Sequence, residues 1–250
     1  MQTQFNFGNK VVVVTGASGA IGMEIARAFH RAGAHVIATG RRADALEALA
    51  AELGERCETV AGDLADAVHR QDIVRCAEQC GGLDILVNNA GLTQTKTPTL
   101  ETSLDDFDRI LDVNLRATWA LSLDAIRGWV AREHKGVIVN VSSPGAQRAH
   151  RNNALYDVSK GGIDALTRCL ATDFGHYGIR VNAIAPAQIP HSHTRAVDPA
   201  AARGLPLPRH GTPDEAAGPV LFLASDCASF ITGHVLPVDG GLLAQLRTAA

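Results

Sequence analysis

A chain of 250 residues and 26.3 kDa fits one large domain or two small ones, with ample surface to bury. An apolar fraction of 46% beside 20% charged residues excludes a disordered or fibrous chain, and a net charge of −3 argues against a nucleic-acid binder, which needs a clustered cationic surface. No apolar run approaches the roughly 18 residues of a membrane span, and the early run Val11–Val14 is too short for a signal-peptide core and lacks a basic leader. Five cysteines are an odd number without paired spacing, so no disulfide framework is expected. Cys76 and Cys80, one helical turn apart, have no second ligand pair beside them. A soluble, reduced, cytoplasmic protein is expected.

In chain order, strands are predicted at Lys10–Thr15, His35–Thr39, Glu58–Ala61, Ile85–Asn88, Val137–Val141, Arg180–Ile184 and Val235–Val238. Several are solidly apolar rather than alternating, which suits strands buried on both faces of a parallel sheet. Helical patterns fall between them at Ile21–Arg31, Ala43–Leu53, Ala65–Cys80, Leu104–Glu133 and Leu155–His176. This rhythm predicts an α/β fold: a Rossmann-type doubly wound parallel sheet of about seven strands with helices on both faces. Residues 186–213 hold six prolines and must be short of regular structure. With fewer than forty residues after it, this segment reads as a functional loop on a single domain spanning 1–250.

Directly after the first strand comes Thr15-Gly16-Ala17-Ser18-Gly19-Ala20-Ile21-Gly22, followed by a helix. Small residues there let the backbone turn sharply and approach a pyrophosphate seated on the helix N-terminal amides. At the end of the second strand, where a carboxylate would bind the adenosine ribose of NAD, stand Arg41 and Arg42. Two guanidinium groups suit a phosphate dianion, so NADP(H) is the expected cofactor.

Tyr156 and Lys160 stand four apart on a predicted helix and project from one face. An ammonium beside a tyrosine favours the phenolate, and a downward shift of about 2–3 pH units would make the phenol a general acid/base near neutrality. Upstream, Ser142 and Ser143 close the strand Val137–Val141, where a hydroxyl can help hold a substrate oxygen.

These residues resemble the short-chain dehydrogenases/reductases of about 250 residues. The likeness covers essentially the whole chain, through the Thr15–Gly22 turn, Asp63-Leu64, Asn88-Asn89-Ala90-Gly91, Asn114, Ser142-Ser143, Tyr156-x-x-x-Lys160, Arg180–Pro186 and Val238-Asp239-Gly240-Gly241. The resemblance implies that Tyr156 exchanges a proton with the substrate oxygen, that Lys160 lowers the Tyr156 pKa and binds the nicotinamide ribose, and that Asn114 holds a water linking Lys160 to solvent. It implies that Ser143 (with Ser142 as the alternative) hydrogen-bonds the substrate oxygen. Gly16, Ser18, Ala20, Ile21 and Gly22 would cradle the pyrophosphate, Asp63 and Leu64 would meet the adenine, Asn89, Ala90 and Gly91 would pack along the cofactor, and Ile189 would meet the carboxamide. The chain departs from the family pattern at Ala20, at Ala187 after Pro186, and at His191, which puts the usual nicotinamide-diphosphate contact in doubt.

The implied activity is NADP(H)-dependent hydride transfer between a secondary alcohol and a ketone. The alternatives are a 3-oxoacyl thioester reductase and a non-catalytic NADP(H)-binding sensor module. Segments expected around the nicotinamide carry Gln94, Arg148, His150 and His191 and no acid, which suits a small polar substrate. No metal site is expected, because His191 and His193 lack a third ligand by spacing. The resemblance also implies a homotetramer packed through the helices Leu104–Glu133 and Leu155–His176.

Overall fold

The computed structural model describes residues 5–93, 97–190 and 204–245. Seven parallel strands form one sheet in the order β3-β2-β1-β4-β5-β6-β7. They are β1 (Val11–Thr15), β2 (His35–Gly40), β3 (Cys57–Ala61), β4 (Ile85–Asn88), β5 (Val137–Val141), β6 (Arg180–Pro186) and β7 (Val235–Val238). The Rossmann-type, doubly wound sheet predicted from the β-α rhythm is the fold observed.

The apolar strands divide their side chains between two cores. Val12, Val14, Val36, Val87, Val139 and Ile184 face one side. They meet Ile25 and Phe29 of α1 (Ala20–Arg31), Leu46 and Leu49 of α2 (Ala43–Leu53), and Val220 of α7 (Pro213–Ala224). Val11, Val13, Ile37, Leu86, Ile138 and Val181 face the other. Their partners are Ile73 of α3 (Ala67–Gln79), Leu121 and Trp129 of α5 (Ala117–Ala131), and Ile163 and Leu170 of α6 (Ala154–Phe174). Because neighbouring residues of a strand point to opposite faces, a run such as Val12-Val13-Val14, each 0% exposed, fills both cores at once. Each such burial is worth roughly 1.5–3 kcal/mol.

Two elements differ from the sequence expectation. The helix predicted as unbroken over Leu104–Glu133 is α4 (Leu104–Leu111), a π-helical turn (Asp112–Arg116), and then α5. The wider turn interrupts the 3.6-residue repeat and swings Asn114 inward, where it is 1% exposed. Helix α7 has no counterpart among the predicted elements. Its only charged residues, Asp214 and Glu215, fall in the first turn and the rest is apolar or small, so it lacks the polar stripe that makes a helical period visible, and Pro213 and Pro219 read as breakers. Pro213 in fact sits in the first turn, where its missing N–H costs nothing, and Thr212 and Glu215 form a capping box around it.

The chain winds outward from β1 to β3, then returns to place β4 on the other side of β1. That reversal opens a crevice at the carboxyl ends of β1 and β4, the position where ligands of such sheets bind.

Candidate active site

The crevice contains a groove of about 290 Å³. Its floor is the turn after β1. Gly16 holds a positive φ of 65°, and a Cβ there would stand 2.8 Å from the Ala90 Cα. At Gly22 a Cβ would stand 2.3 Å from the Gly16 carbonyl oxygen. The first N–H groups of α1, which begins at Ala20 and Ile21, have no partner within the helix and open toward the groove. Ala20 itself is buried at 3% exposure, so the alanine replacing the family's glycine fits.

Thr15 stitches the turn to the end of β4. Its hydroxyl accepts the N–H groups of Asn89 and Ala90, each at 3.0 Å, while the Asn89 amide donates to the Thr15 and Gly16 carbonyls at 2.9 and 3.2 Å. Thr15 is a supporting residue that the glycine spacing alone does not single out.

Arg41, Arg42, Asp63, Leu64 and Gly91 line the same groove, beside Ser18. Arg41 is exposed at the rim, and the Arg42 guanidinium donates to the Ser18 carbonyl. Asp63 spends one carboxylate oxygen on the Ala65 N–H at 2.9 Å, and Leu64 faces the core at 8% exposure. A cradle that a Cβ at Gly16, Gly22 or Gly40 would fill, with helix amides at one end and two arginines at the other, fits a dinucleotide carrying an extra phosphate.

Beyond the groove, β5 and α6 bring Ser143, Tyr156 and Lys160 together. Ser143 and Tyr156 share a side-chain hydrogen bond, and the Ser143 hydroxyl also accepts the Gly145 N–H at 3.1 Å. Ser142 points the other way: its hydroxyl donates to the Asp164 carboxylate on the buried side of α6. Of the two serines, Ser143 is the one that touches Tyr156.

Lys160 is buried at 5% exposure, with its ammonium 5.8 Å from the centre of the Tyr156 ring and donating to the Val141 carbonyl at 2.7 Å. Burial pushes Lys160 down to about 8, against the upward pull of Asp164. The expected downward shift of Tyr156 is not what the unliganded chain has. Burial pushes the phenol up, the Ser143 hydrogen bond pulls it down, and the Asp157 charge adds to the upward push. Desolvation of the phenolate outweighs an ammonium that stands over the ring face and is itself held below its ordinary range.

Asn114 clamps the backbone after β4. Its Oδ1 accepts the Leu92 N–H at 2.6 Å, and its amide donates to the Leu92 carbonyl and the Ser159 hydroxyl, both at 3.0 Å. Both amide hydrogens are thereby committed, which leaves Oδ1 to accept a further bond. A Cβ built on Gly91 would lie 3.4 Å from this Oδ1 and 3.5 Å from the Lys160 ammonium, so there is room for one small group between them.

The residues expected around the substrate fare unevenly. Gln94 and His191 lie outside the described residues. Arg148 donates to the Gln245 carbonyl at 3.3 Å and so ties the loop after β5 to the C-terminal segment. His150 lies against Gly145 with its Nδ1 2.8 Å from Asp157. The expected acid-free wall is therefore qualified by Asp157, buried at 7% exposure directly after Tyr156. Ile189 has its side chain in the core at 6% exposure. Sequence reasoning also passes over Asn153, one turn before Tyr156, whose buried Oδ1 has no hydrogen-bond partner. Among the described residues no cluster of three or more metal-binding side chains occurs, and no helix is long and apolar enough to cross a membrane.

A crevice built this way, on this sheet, places the chain in a family. A family model described as Enoyl-(Acyl carrier protein) reductase matches residues 16–243. The chain belongs to the short-chain dehydrogenase/reductase family and is an oxidoreductase of that family. It is 39% identical over 238 residues to L-xylulose reductase of Bos taurus, covering 93% of this chain and 96% of that one. It is similar to a 3-ketoacyl-(acyl-carrier-protein) reductase from Brucella melitensis complexed with NADH, at 33% identity and a TM-score of 0.89, covering 94% and 99% of the two chains. The structure of a candidate NAD(P)-dependent gluconate 5-dehydrogenase from Beutenbergia cavernae, with NADP bound at low occupancy, matches at 37% identity and a TM-score of 0.85, covering 97% and 100% of the two chains.

Proposed function

We propose that the chain is an NADP(H)-dependent reductase that interconverts a ketone and a secondary alcohol on a small polar substrate. The observation that carries this reading is the meeting of Ser143 and Tyr156 over a buried Lys160, beside a glycine-walled groove rimmed by Arg41 and Arg42. When bound, the reduced nicotinamide supplies a hydride to the carbonyl carbon. Ser143 orients the carbonyl oxygen, and Tyr156 gives it a proton. Lys160 holds a positive charge beside the phenolate that remains. Asn114 keeps the Leu92 backbone against Lys160 and offers Oδ1 to a water that returns the proton. Gly16, Ser18, Ala20, Ile21 and Gly22 hold the pyrophosphate on the α1 amides. Asp63 and Leu64 would take the adenine, Asn89, Ala90 and Gly91 would pack along the cofactor, and Ile189 would meet the carboxamide. Burial keeps the unliganded Tyr156 phenol protonated near neutral pH, the form that gives a proton in reduction.

The likeness to L-xylulose reductase and to a candidate gluconate dehydrogenase supports a polyhydroxylated substrate, whereas the likeness to the 3-ketoacyl reductase favours a 3-oxoacyl thioester. A kinetic panel of NADPH oxidation decides between them. Ketoses and hydroxylated ketones are expected to give the highest kcat/KM; a preference for 3-oxoacyl thioesters establishes the second reading, and no turnover of any carbonyl leaves a binding module.

A homotetramer completes the proposal. Trp119 of α5 and Val158 of α6 are 49% and 55% exposed, Leu104 is 80% exposed, and Leu115, Trp119 and Leu166 border a hollow of about 460 Å³ between the two helices. Light scattering at micromolar concentration is expected to give four times the chain mass.

A further inference from the structure

Three consecutive residues at the carboxyl end of β5 each meet one residue of α6. Lys160 donates to the Val141 carbonyl at 2.7 Å, the Ser142 hydroxyl donates to the Asp164 carboxylate, and Ser143 shares a hydrogen bond with Tyr156. Tyr156, Lys160 and Asp164 stand four apart along one face of the helix. Proton transfer uses the first and the last of these contacts; the Ser142–Asp164 contact has no direct part in it. Both residues are nevertheless buried, and a carboxylate taken out of water is penalised unless its partners are good.

The geometry of the strand gives the buried acid a purpose. Side chains of β5 alternate, so Ile138, Asn140 and Ser142 face α6: Ile138 shares a core with Ile163, Asn140 donates to the Thr167 hydroxyl at 2.9 Å, and Ser142 meets Asp164. Pairing with β6 ends at this point. The Ser142 N–H donates to the Ile184 carbonyl at 2.8 Å, and two residues on, Pro186 has no N–H to continue the ladder. From Ser143 the chain leaves for the turn Pro144–Ala146, so the placement of Ser143 depends on Ser142. The Ser142 hydroxyl also lies 3.4 Å from the Lys160 carbonyl, on the turn of α6 whose ammonium reaches back to Val141.

We propose that Asp164 and Ser142 are a positioning pair: the Asp164 carboxylate seats the Ser142 hydroxyl, and the end of β5 thereby holds the Ser143 hydroxyl and the Val141 carbonyl against Tyr156 and Lys160. The inference rests on the reading of Ser143, Tyr156 and Lys160 as the reacting set, and it makes Ser142 a support rather than a contact of the substrate. The pair works through an accepted hydrogen bond and not through charge, so an amide at position 164 serves as a carboxylate does.

Ser142→Ala removes one buried hydroxyl and Asp164→Leu removes its acceptor, while Asp164→Asn keeps an acceptor at the same reach. With NADPH and a hydroxylated ketone, Ser142→Ala and Asp164→Leu are each expected to lower kcat by about tenfold or more, for which a displacement of roughly 1 Å suffices. KM, and NADPH affinity by isothermal titration, are expected to stay within about threefold. Asp164→Asn is expected to keep kcat within about threefold of the parent. The double variant Ser142→Ala with Asp164→Leu should lose no more than Asp164→Leu alone, because the two residues act as one. Hydrogen exchange of the amides in residues 141–147, read without NADPH or substrate, should quicken in Ser142→Ala and not in Asp164→Asn, with β1 and β2 exchanging as in the parent. Ser142→Ala carries the test where Asp164→Leu does not fold. Parent-like kcat or exchange in Ser142→Ala, or an Asp164→Asn enzyme as impaired as Ser142→Ala, would overturn the proposal. So would losses that multiply in the double variant, since Ser142 would then act on the substrate itself. Tyr156→Phe keeps the two readings apart: a fully active Tyr156→Phe enzyme overturns both, whereas an inactive one beside a parent-like Ser142→Ala overturns the positioning pair alone.

Discussion

The glycine-walled groove and the Ser143–Tyr156–Lys160 cluster are built on opposite principles. The groove is made by omission: Gly16, Gly22 and Gly40 leave space that a single methyl would fill, with backbone amides of the α1 N-terminus opening onto it. The cluster is made by inclusion, with Asn114, Ser143, Asp157, Ser159, Lys160 and Asp164 all buried and polar. Behind it a further chain runs from Ser122 through Asn88 and Asn140 to Thr167, in steps of 2.9–3.0 Å. A groove of the first kind tolerates few additions. A cluster of the second kind tolerates few deletions, since each loss leaves a buried polar partner unsatisfied at about 1–3 kcal/mol.

The largest expected effect lies in the cluster. Tyr156→Phe removes the transferable proton alone, so kcat should fall by about 10³ or more while NADPH affinity, read by isothermal titration, changes less than about threefold. A comparable loss of affinity would mean that the two regions are not separable. In the groove the contrast is reversed. Gly22→Ala should weaken NADPH binding by about a hundredfold, because its methyl collides with the Gly16 carbonyl at 2.3 Å. The turnover of what does bind should be nearly preserved.

Lys160→Met sharpens the difference through stability. The folded Lys160 sits at about 8 against 10.5 in the unfolded chain, so between these values the unfolded state holds more protons and the lysine's contribution improves as pH rises. Below pH 8 the buried ammonium imposes its full penalty, about 3 kcal/mol from that shift. Urea unfolding should therefore find Lys160→Met more stable than the parent at pH 7 and the advantage shrinking toward pH 10, while activity is largely lost. The smallest effect belongs to the rim. Arg42→Ala should reduce the preference for NADPH over NADH by about tenfold, or 1.4 kcal/mol, with kcat little changed; equal affinities for the two cofactors in the parent chain would refute the assignment of the arginines.

The two regions were also unequally legible. A β-α turn of glycines follows from local spacing, so the groove could be read directly from residues 15–42, and the doubly wound sheet from the β-α rhythm of the whole chain. Tyr156 and Lys160 share a face by helical geometry alone, and Ser143 was expected beside them. The supports were not legible, because they join distant segments: Asp157 to His150 across a loop, Asn114 to Leu92 through a π-helical turn, and Ser142 to Asp164 across a helix. The direction of the Tyr156 shift escaped for a related reason. Spacing reports that an ammonium is near, while burial, which dominates here, depends on the whole fold. Helix α7 was hidden because, after Asp214 and Glu215, its residues are all apolar or small and show no polar stripe.

Tyr156 as proton donor in NADPH-driven carbonyl reduction is tested most directly by single-turnover oxidation of C4-deuterated NADPH with a hydroxylated ketone, in H₂O and in D₂O. Coupled proton and hydride transfer predicts that both isotopic substitutions slow the same absorbance decay at 340 nm, and that Tyr156→Phe all but abolishes it. A decay that Tyr156→Phe leaves within about tenfold of the parent, with its solvent isotope effect intact, would contradict the assignment.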